Sequence, residues 1–406
     1  MKQQNKIEWK EVELGEVSQI VSGSTPSTIK SEYWEGGIIN WITPAEIGNG
    51  NNGYYYETRK KITKKGLESA SINLFPKGTV MLTSRAPIGK VAIAGTEMCS
   101  NQEFKNFICK KDQLVSEYLY YWLRSKENYL NSIGRGATFK EISKFIVSKL
   151  KIPIPFSNEK PDIKEQERIV KILEKAEKLK ERGKKTSNLF DEYLKSVFNE
   201  MFLKDSFDLV EIGKVAPLQG GFAFKSKDYT NDGIKLVKIT NVWNNILIWE
   251  DKTFLPNKYL EKYRSFSLKA GDIVLSMTRP IIKSLGSVKI VQIREHDLPC
   301  LLNQRVGRFL IDKNKVLANY LLHYCYTSEF KREVDKYCST SLQPNISSNQ
   351  INSIKISLPP LPLQQKFAKI VEQVEKLKEN VKKVSKNSEK LFNSLMHKAF
   401  RGELVR

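Results

Sequence analysis

Two stretches of this chain align without a gap, QERIVKILEKAEKLKE (Gln166 to Glu181) and QQKFAKIVEQVEKLKE (Gln364 to Glu379). In both, apolar or small residues recur at alternating three- and four-residue steps. The first series runs Ile169, Ile172, Ala176, Leu179, Gly183, Thr186, Phe190, Tyr193, Val197. The second runs Phe367, Ile370, Val374, Leu377, Val381, Val384, Ser388, Leu391, Leu395. A repeat of this period predicts two long helices wound on each other. Ile169, Ile172, Leu179 and Phe190 are the expected packing residues of one, and Phe367, Ile370, Leu377 and Leu391 those of the other. One amphipathic helix per domain, lying on its own core, would account for either stretch alone but not for their shared length and likeness. Asp162 with Glu165 caps the first rod, Pro362 opens the second and Gly402 ends it at the C′ position.

The repeat extends well beyond the rods. WKEVELGEV (Trp9 to Val17) matches FDLVEIGKV (Phe207 to Val215), and FPKGTVMLTS (Phe75 to Ser84) matches LKAGDIVLSM (Leu268 to Met277). CSNQ (Cys99 to Gln102) answers CLLNQ (Cys300 to Gln304), SEYLYYWL (Ser116 to Leu123) answers LANYLLHY (Leu317 to Tyr324), and LKIPIP (Leu150 to Pro155) answers IKISLP (Ile354 to Pro359). A period of about 200 residues means duplication of a whole domain, not a solenoid. Within each half, short β-runs are broken by Gly, Pro, Asn and Ser. Capping boxes at Thr138–Glu141 and Ser347–Gln350 predict a short helix before each closing strand. The expected fold is α+β: two globular domains related by duplication (1–161 and 205–361), separated by two antiparallel coiled-coil helices (162–204 and 362–406).

Charge narrows the partners. Of the net +22, each globular segment carries +7, the first rod +2 and the second +6. Two equally basic modules suit a polyanion, nucleic acid first, because neutralised phosphates release counterions. The start MKQQNKIEWK has no apolar h-region, and no apolar run reaches 18 residues, so neither secretion nor a membrane is expected. Five cysteines without paired spacing suit a reducing cytosol.

No catalytic constellation stands out. SRAPIGKV (Ser84 to Val91) has Ser where a phosphate loop needs its first Gly, and Val91 where it needs Ser or Thr. His296, His323 and His397 are too scattered for a metal site. No cofactor and no catalysis by this chain alone are expected. The clearest binding signal is YYYETRKKITKKG (Tyr54 to Gly66), with Arg59, Lys60, Lys61, Lys64 and Lys65 beside three tyrosines. Basic residues position a protein on phosphates, and aromatics stack; a merely solvated loop is the alternative. GRGATFK (Gly134 to Lys140) presents Arg135, Thr138 and Lys140 at an expected helix start, where exposed N–H groups favour phosphate. Its echo CSTSLQPNIS (Cys338 to Ser347) offers Ser341 and Gln343, which can read bases, so the halves are free to read different sequences. Arg85 and Arg279 each follow a central strand, and a structural arginine is the alternative at both. Lys225 and Lys283 complete the second half's candidates.

The layout resembles the specificity subunit of a type I restriction–modification system. The rods carry the likeness, together with SGSTPS…YWEGGIINWITPAEI (Ser22 to Ile47), SRAPIGKVAI, NQEF (Asn101 to Phe104) and LMHKAFRGEL (Leu395 to Leu404). Gln219–Ser226 lacks the GSTP element, and TRPIIKSLG (Thr278 to Gly286) replaces SRAPIG. The resemblance implies two target-recognition domains, each reading half of a bipartite site in double-stranded DNA, with helices that set the spacer. It also implies partners: methyltransferase subunits that carry the catalysis, and restriction/translocase subunits. A rod of about 40 residues is roughly 60 Å long, against about 45–50 Å for 13–15 base pairs. The other class of reading is a coiled-coil scaffold whose basic domains bind RNA or an acidic protein.

Overall fold

The apolar runs of each half pair into sheets in the computed structural model, which describes residues 7–48, 53–85, 87–134, 140–338 and 344–404. The chain divides into two units, residues 1–185 with 382–406, and residues 186–381.

In the first unit a five-stranded sheet has the order Ser18–Ser22, Phe104–Cys109, Val80–Thr83, Val91–Ala94, Tyr54–Tyr55; only the last pairing is parallel. A three-stranded sheet follows the order Lys60–Ile62, Ile39–Ile42, Cys99–Ser100, its last pairing also parallel. Val80–Thr83 and Val91–Ala94 are buried on both faces, which is why they read as continuous apolar runs without alternation. Leu82 and Ile93 share one core with helix Ser116–Ser125, while Met81 and Ala92 face a second core with Ile42, Phe75 and Phe104. Glu8–Glu13 pairs with Lys151–Ser157 and brings the two ends of the domain together.

The second unit repeats this plan. Leu218–Gly220, Val306–Phe309, Ile273–Ser276 and Ile290–Gln292 form the larger sheet, with a parallel bridge from Asn244 to Ile290 in place of the fifth strand. Phe254–Leu255, Ile234–Val237 and Cys300–Leu302 form the smaller one, again ending in a parallel pair. Leu209–Glu211 pairs with Lys355–Ser357, and helix Ala318–Cys325 covers the core. Gly78 (φ +88°) and Gly271 (φ +91°) make the same left-handed turn before the central strand. The Ser347 box forms as expected, with Ser347 Oγ accepting from Gln350 N and Gln350 Oε1 accepting from Ser347 N. The first half differs. Thr138 lies outside the described residues, and helix Lys144–Ser148 is capped by Ser143 Oγ, 3.2 Å from Ile146 N. Glu141 is drawn into ion pairs instead.

The rods are helices Ile163–Phe202 and Leu361–Ala399. Asp162 Oδ1 accepts from Glu165 N at 3.0 Å. At the far end Gly402 has φ +73° and Glu403 N donates to Lys398 O, the bond of a Schellman cap. The pairing is antiparallel within each unit. In the first, Lys180 lies 3.1 Å from Glu389, and Ile169, Leu173 and Ala176 share a core with Phe392, Met396 and Ala399. In the second, Lys378 meets Asp191 at 2.6 Å and Phe367 meets Phe198 and Phe202.

The seam runs in a different phase from the one expected. Ile169 and Phe367 are buried, and Ile172, Phe190 and Ile370 are half-buried. Leu179, Leu377 and Leu391 are not packing residues: they are 48%, 50% and 47% exposed. The steps run 169–173–176–180–183 and 367–371–374–378–381, so Leu173, Lys180, Val371, Lys378 and Phe392 take the inner places. A stripe of apolar residues this wide contains both phases. The one used admits two lysines, whose stems lie along the seam while their ammonium groups reach acids on the opposite rod.

Near the crossing, a Cβ on Gly183 would come within 2.8 Å of Ser385 Cβ. Small faces small there, rather than small facing large, and Val384 points outward. Gly183→Leu gains about 1 kcal/mol of helix propensity but is expected to cost about 1–3 kcal/mol in overpacking. The urea midpoint of the full chain should therefore fall; a rise would place the close approach elsewhere.

Gln166 and Gln364 open the aligned stretches and are fully buried. Gln166 accepts from Val115 N (2.9 Å) and donates to Gln113 O (3.0 Å); Gln364 accepts from Leu317 N (2.8 Å) and donates to Lys315 O and Pro359 O. Each satisfies the start of the domain helix, whose own cap residue, Val115 or Leu317, offers no side-chain acceptor. Rod and domain are thereby locked together in each unit.

Candidate nucleic-acid interface

Four segments of the first unit converge, and all four come from motifs singled out in the sequence. Ser24 N donates to Ser100 O (2.9 Å), Ser84 N to Glu103 O (2.7 Å), and Ile142 N to Ser84 O (2.9 Å), while the Thr25 hydroxyl bonds Gln102. A Cβ on Gly23 would sit 1.9 Å from Asn101 O, so the approach requires glycine. Asn101 folds around Glu103, accepting from its N–H and donating to its carboxylate.

At the centre of this junction, Lys105 is almost fully buried and donates to Ser84 Oγ and Glu141 Oε1, each at 3.2 Å. Arg85 Nε donates to Glu141 Oε2 at 2.9 Å. Partial burial alone would raise the Glu141 carboxyl; the hydrogen bonds from Arg85 and Lys105 outweigh it and hold the group below the usual carboxylate range. Arg85 is therefore tied to protein. Lys140 is exposed beside this junction; Arg135 and Thr138 lie outside the described residues.

The basic loop is built separately. Lys60–Ile62 is the edge strand of the smaller sheet, and Thr63 Oγ1 accepts from Gly66 N to start helix Lys64–Ser69. Buried Ile62 anchors it. Arg59, Lys60, Lys64 and Lys65 are exposed and Lys61 is half-buried. Lys60 Nζ lies 5.8 Å from the Trp34 ring centroid, and Lys65 Nζ lies 3.4 Å from Glu32. Ile29 and Ile38, in the same family-like segment as Trp34, are 93% and 74% exposed. Two strand spacings, about 10 Å, separate this edge from the Cys99–Ser100 strand.

The second unit brings together the corresponding segments with other chemistry. Phe222 N donates to Leu302 O, Gln304 N to Phe222 O, Met277 N to Arg305 O, and Ile346 N to Met277 O. Thr278 Oγ1 donates to Asn345 Oδ1 at 2.7 Å. Arg279 is exposed in a left-handed conformation (φ +47°), with its N–H on Pro344 O. Below it, burial and then the Arg279 charge lower the Lys289 amine, which lies over the Trp243 ring. Lys283 is exposed on the hairpin formed by Ile281–Ile282 and Ser287–Val288, and Lys225 is exposed after Phe224. Ser341 and Gln343 lie outside the described residues.

Two exposed glutamines, Gln102 and Gln304, occupy the same place in the two junctions. They were legible as the shared NQ of CSNQ and CLLNQ but were not singled out as contacts. A glutamine amide can pair with an adenine edge through two hydrogen bonds. Among the described residues there is no cluster of acidic, His and Cys side chains able to hold a metal, and no helix long and apolar enough to cross a membrane.

Comparison with known proteins agrees with this architecture. A family model described as the type I restriction modification DNA specificity domain matches residues 6–188 and again 204–388. The MjaVIII specificity subunit of Methanocaldococcus jannaschii is 27% identical over 98% of this chain and 93% of its own length. The EcoAI specificity subunit of Escherichia coli is 30% identical over 43% of this chain and 29% of its own. Among solved structures, the S subunit from M. genitalium has a TM-score of 0.54 at 17% identity, covering 98% of both chains. A chain from a study of complex assembly in the type I R-M system has a TM-score of 0.60 at 18% identity, also covering 98% of both.

Proposed function

Because the chain belongs to the type I restriction–modification DNA specificity family, we propose that it reads a bipartite duplex target, one globular domain per half-site. The observation that carries this reading is the duplicated junction. The same four segments meet in each unit, but different side chains fasten them: Glu141 to Arg85 and Lys105 in one, Thr278 to Asn345 in the other. A conserved frame with exchanged side chains suits two readers of unlike sequences. The basic loop supplies sequence-independent attachment to phosphates.

Catalysis belongs to the methyltransferase and restriction subunits, and this chain positions them. The outward leucines fit that role. Leu179, Val384 and Leu391 are exposed on the rod pair of the first unit, and Leu189, Tyr193 and Leu377 on that of the second. Apolar side chains on the outer face of a two-helix coil suit partner helices.

The rods set the spacer in this reading. Lengthening both by four residues adds about 6 Å, so the preferred distance between half-sites should grow by about two base pairs. Methylated-motif mapping with the lengthened subunit checks this, and an unchanged spacer would sink the ruler.

A further inference from the structure

The two junctions are fastened by different kinds of bond. In the first unit Glu141 bridges Arg85 and the buried ammonium of Lys105. The bridge Arg85↔Glu141 corresponds to Thr278↔Asn345, and the register of Phe107 on Ile20 and of Phe309 on Leu218 places Gly307 where Lys105 stands. Among the described residues, the second unit closes the same junction with neutral bonds, the Thr278 hydroxyl donating to Asn345. One fastening is ionic and partly exposed: the Arg85 and Glu141 side chains keep 39% and 34% of their surface. The other carries no charge.

Taking the proposed reading as its basis, we propose that Glu141 is a positioning residue for the first half-site. It holds Ser84 and Arg85, with Lys140 beside them, in the arrangement that meets the duplex. It acts through Arg85 and Lys105 without touching DNA. Because Arg85 spends its charge on Glu141, it is a strut more than a phosphate contact.

The test uses the full chain assembled with its methyltransferase subunits. Binding is measured on duplexes carrying both half-sites, either half scrambled, or both scrambled, at low and high salt. Glu141→Gln should lower discrimination at one half-site by about tenfold, the weight of one base contact, and leave the other unchanged. The slope of log affinity against log salt should stay near that of the parent, which a lost phosphate contact would not allow. Glu141→Gln alone leaves Lys105 buried without its charge partner, so the double variant Glu141→Gln with Lys105→Met is made as well. It should melt as the parent does and still lose discrimination at the same half-site. Parental discrimination at both half-sites in both variants, or equal loss at both, overturns the positioning role. A parent that binds the doubly scrambled duplex as tightly as the intact one would instead remove the sequence-reading function itself.

Discussion

Phe367→Ala is expected to lower the stability of the second unit by about 3–5 kcal/mol. The ring is fully buried at the start of the second rod, with centroids 5.3 Å from Phe198, 5.5 Å from Phe202 and 5.0 Å from His323. Each edge-to-face pair adds about 0.5–1.5 kcal/mol beyond the burial of area. The side chain joins the last turns of one rod, the first turns of the other, and the domain helix Ala318–Cys325. Its loss leaves a cavity where three elements meet, and none can close it without moving the other two. Against a total of about 5–15 kcal/mol for a typical domain, the unfolding transition in urea should shift markedly. A change below about 1 kcal/mol would mean that the rod end is not part of this core.

Replacing Lys60, Lys61, Lys64 and Lys65 together with alanine should weaken duplex binding by about ten- to a hundredfold and flatten its salt slope by about 3. The fold should survive, because buried Ile62 and the Thr63 cap remain. Four positions do not give the full slope of four contacts, since Lys65 already has Glu32 at 3.4 Å. Fluorescence anisotropy over a range of salt measures both quantities. An unaltered slope would make this loop a solvated surface and shift the phosphate contacts to the junction.

Much of the fold was readable because its signals are local. The turn glycines Gly78 and Gly271, the Ser347 cap and the Asp162 cap act within a few residues of themselves, and each forms where the sequence placed it. Duplication extended that reading, since a strand recognised in one half located its partner in the other. The Glu141 error has the opposite origin. A capping box is a local rule, but a carboxylate close to a buried ammonium and a guanidinium gains more from them than from a helix start. Nothing within five residues of Glu141 announces Lys105 or Arg85.

The candidate site divides in the same way. Arg59, Lys60, Lys64 and Lys65 were found because a run of charge on a short loop cannot be buried. Gln102 and Gln304 were passed over because an uncharged side chain stands out only once neighbouring segments show it exposed at a junction. The sequence alone determined a duplicated α+β chain on two long helices, since the repeat and the turn chemistry are legible along the chain itself; the reading of DNA came from the family resemblance. Only the tertiary structure decided which edge of each apolar stripe became the seam. The edge that became the seam is the one from which Lys180 and Lys378 reach acids on the opposite rod. The outward leucines follow from that choice.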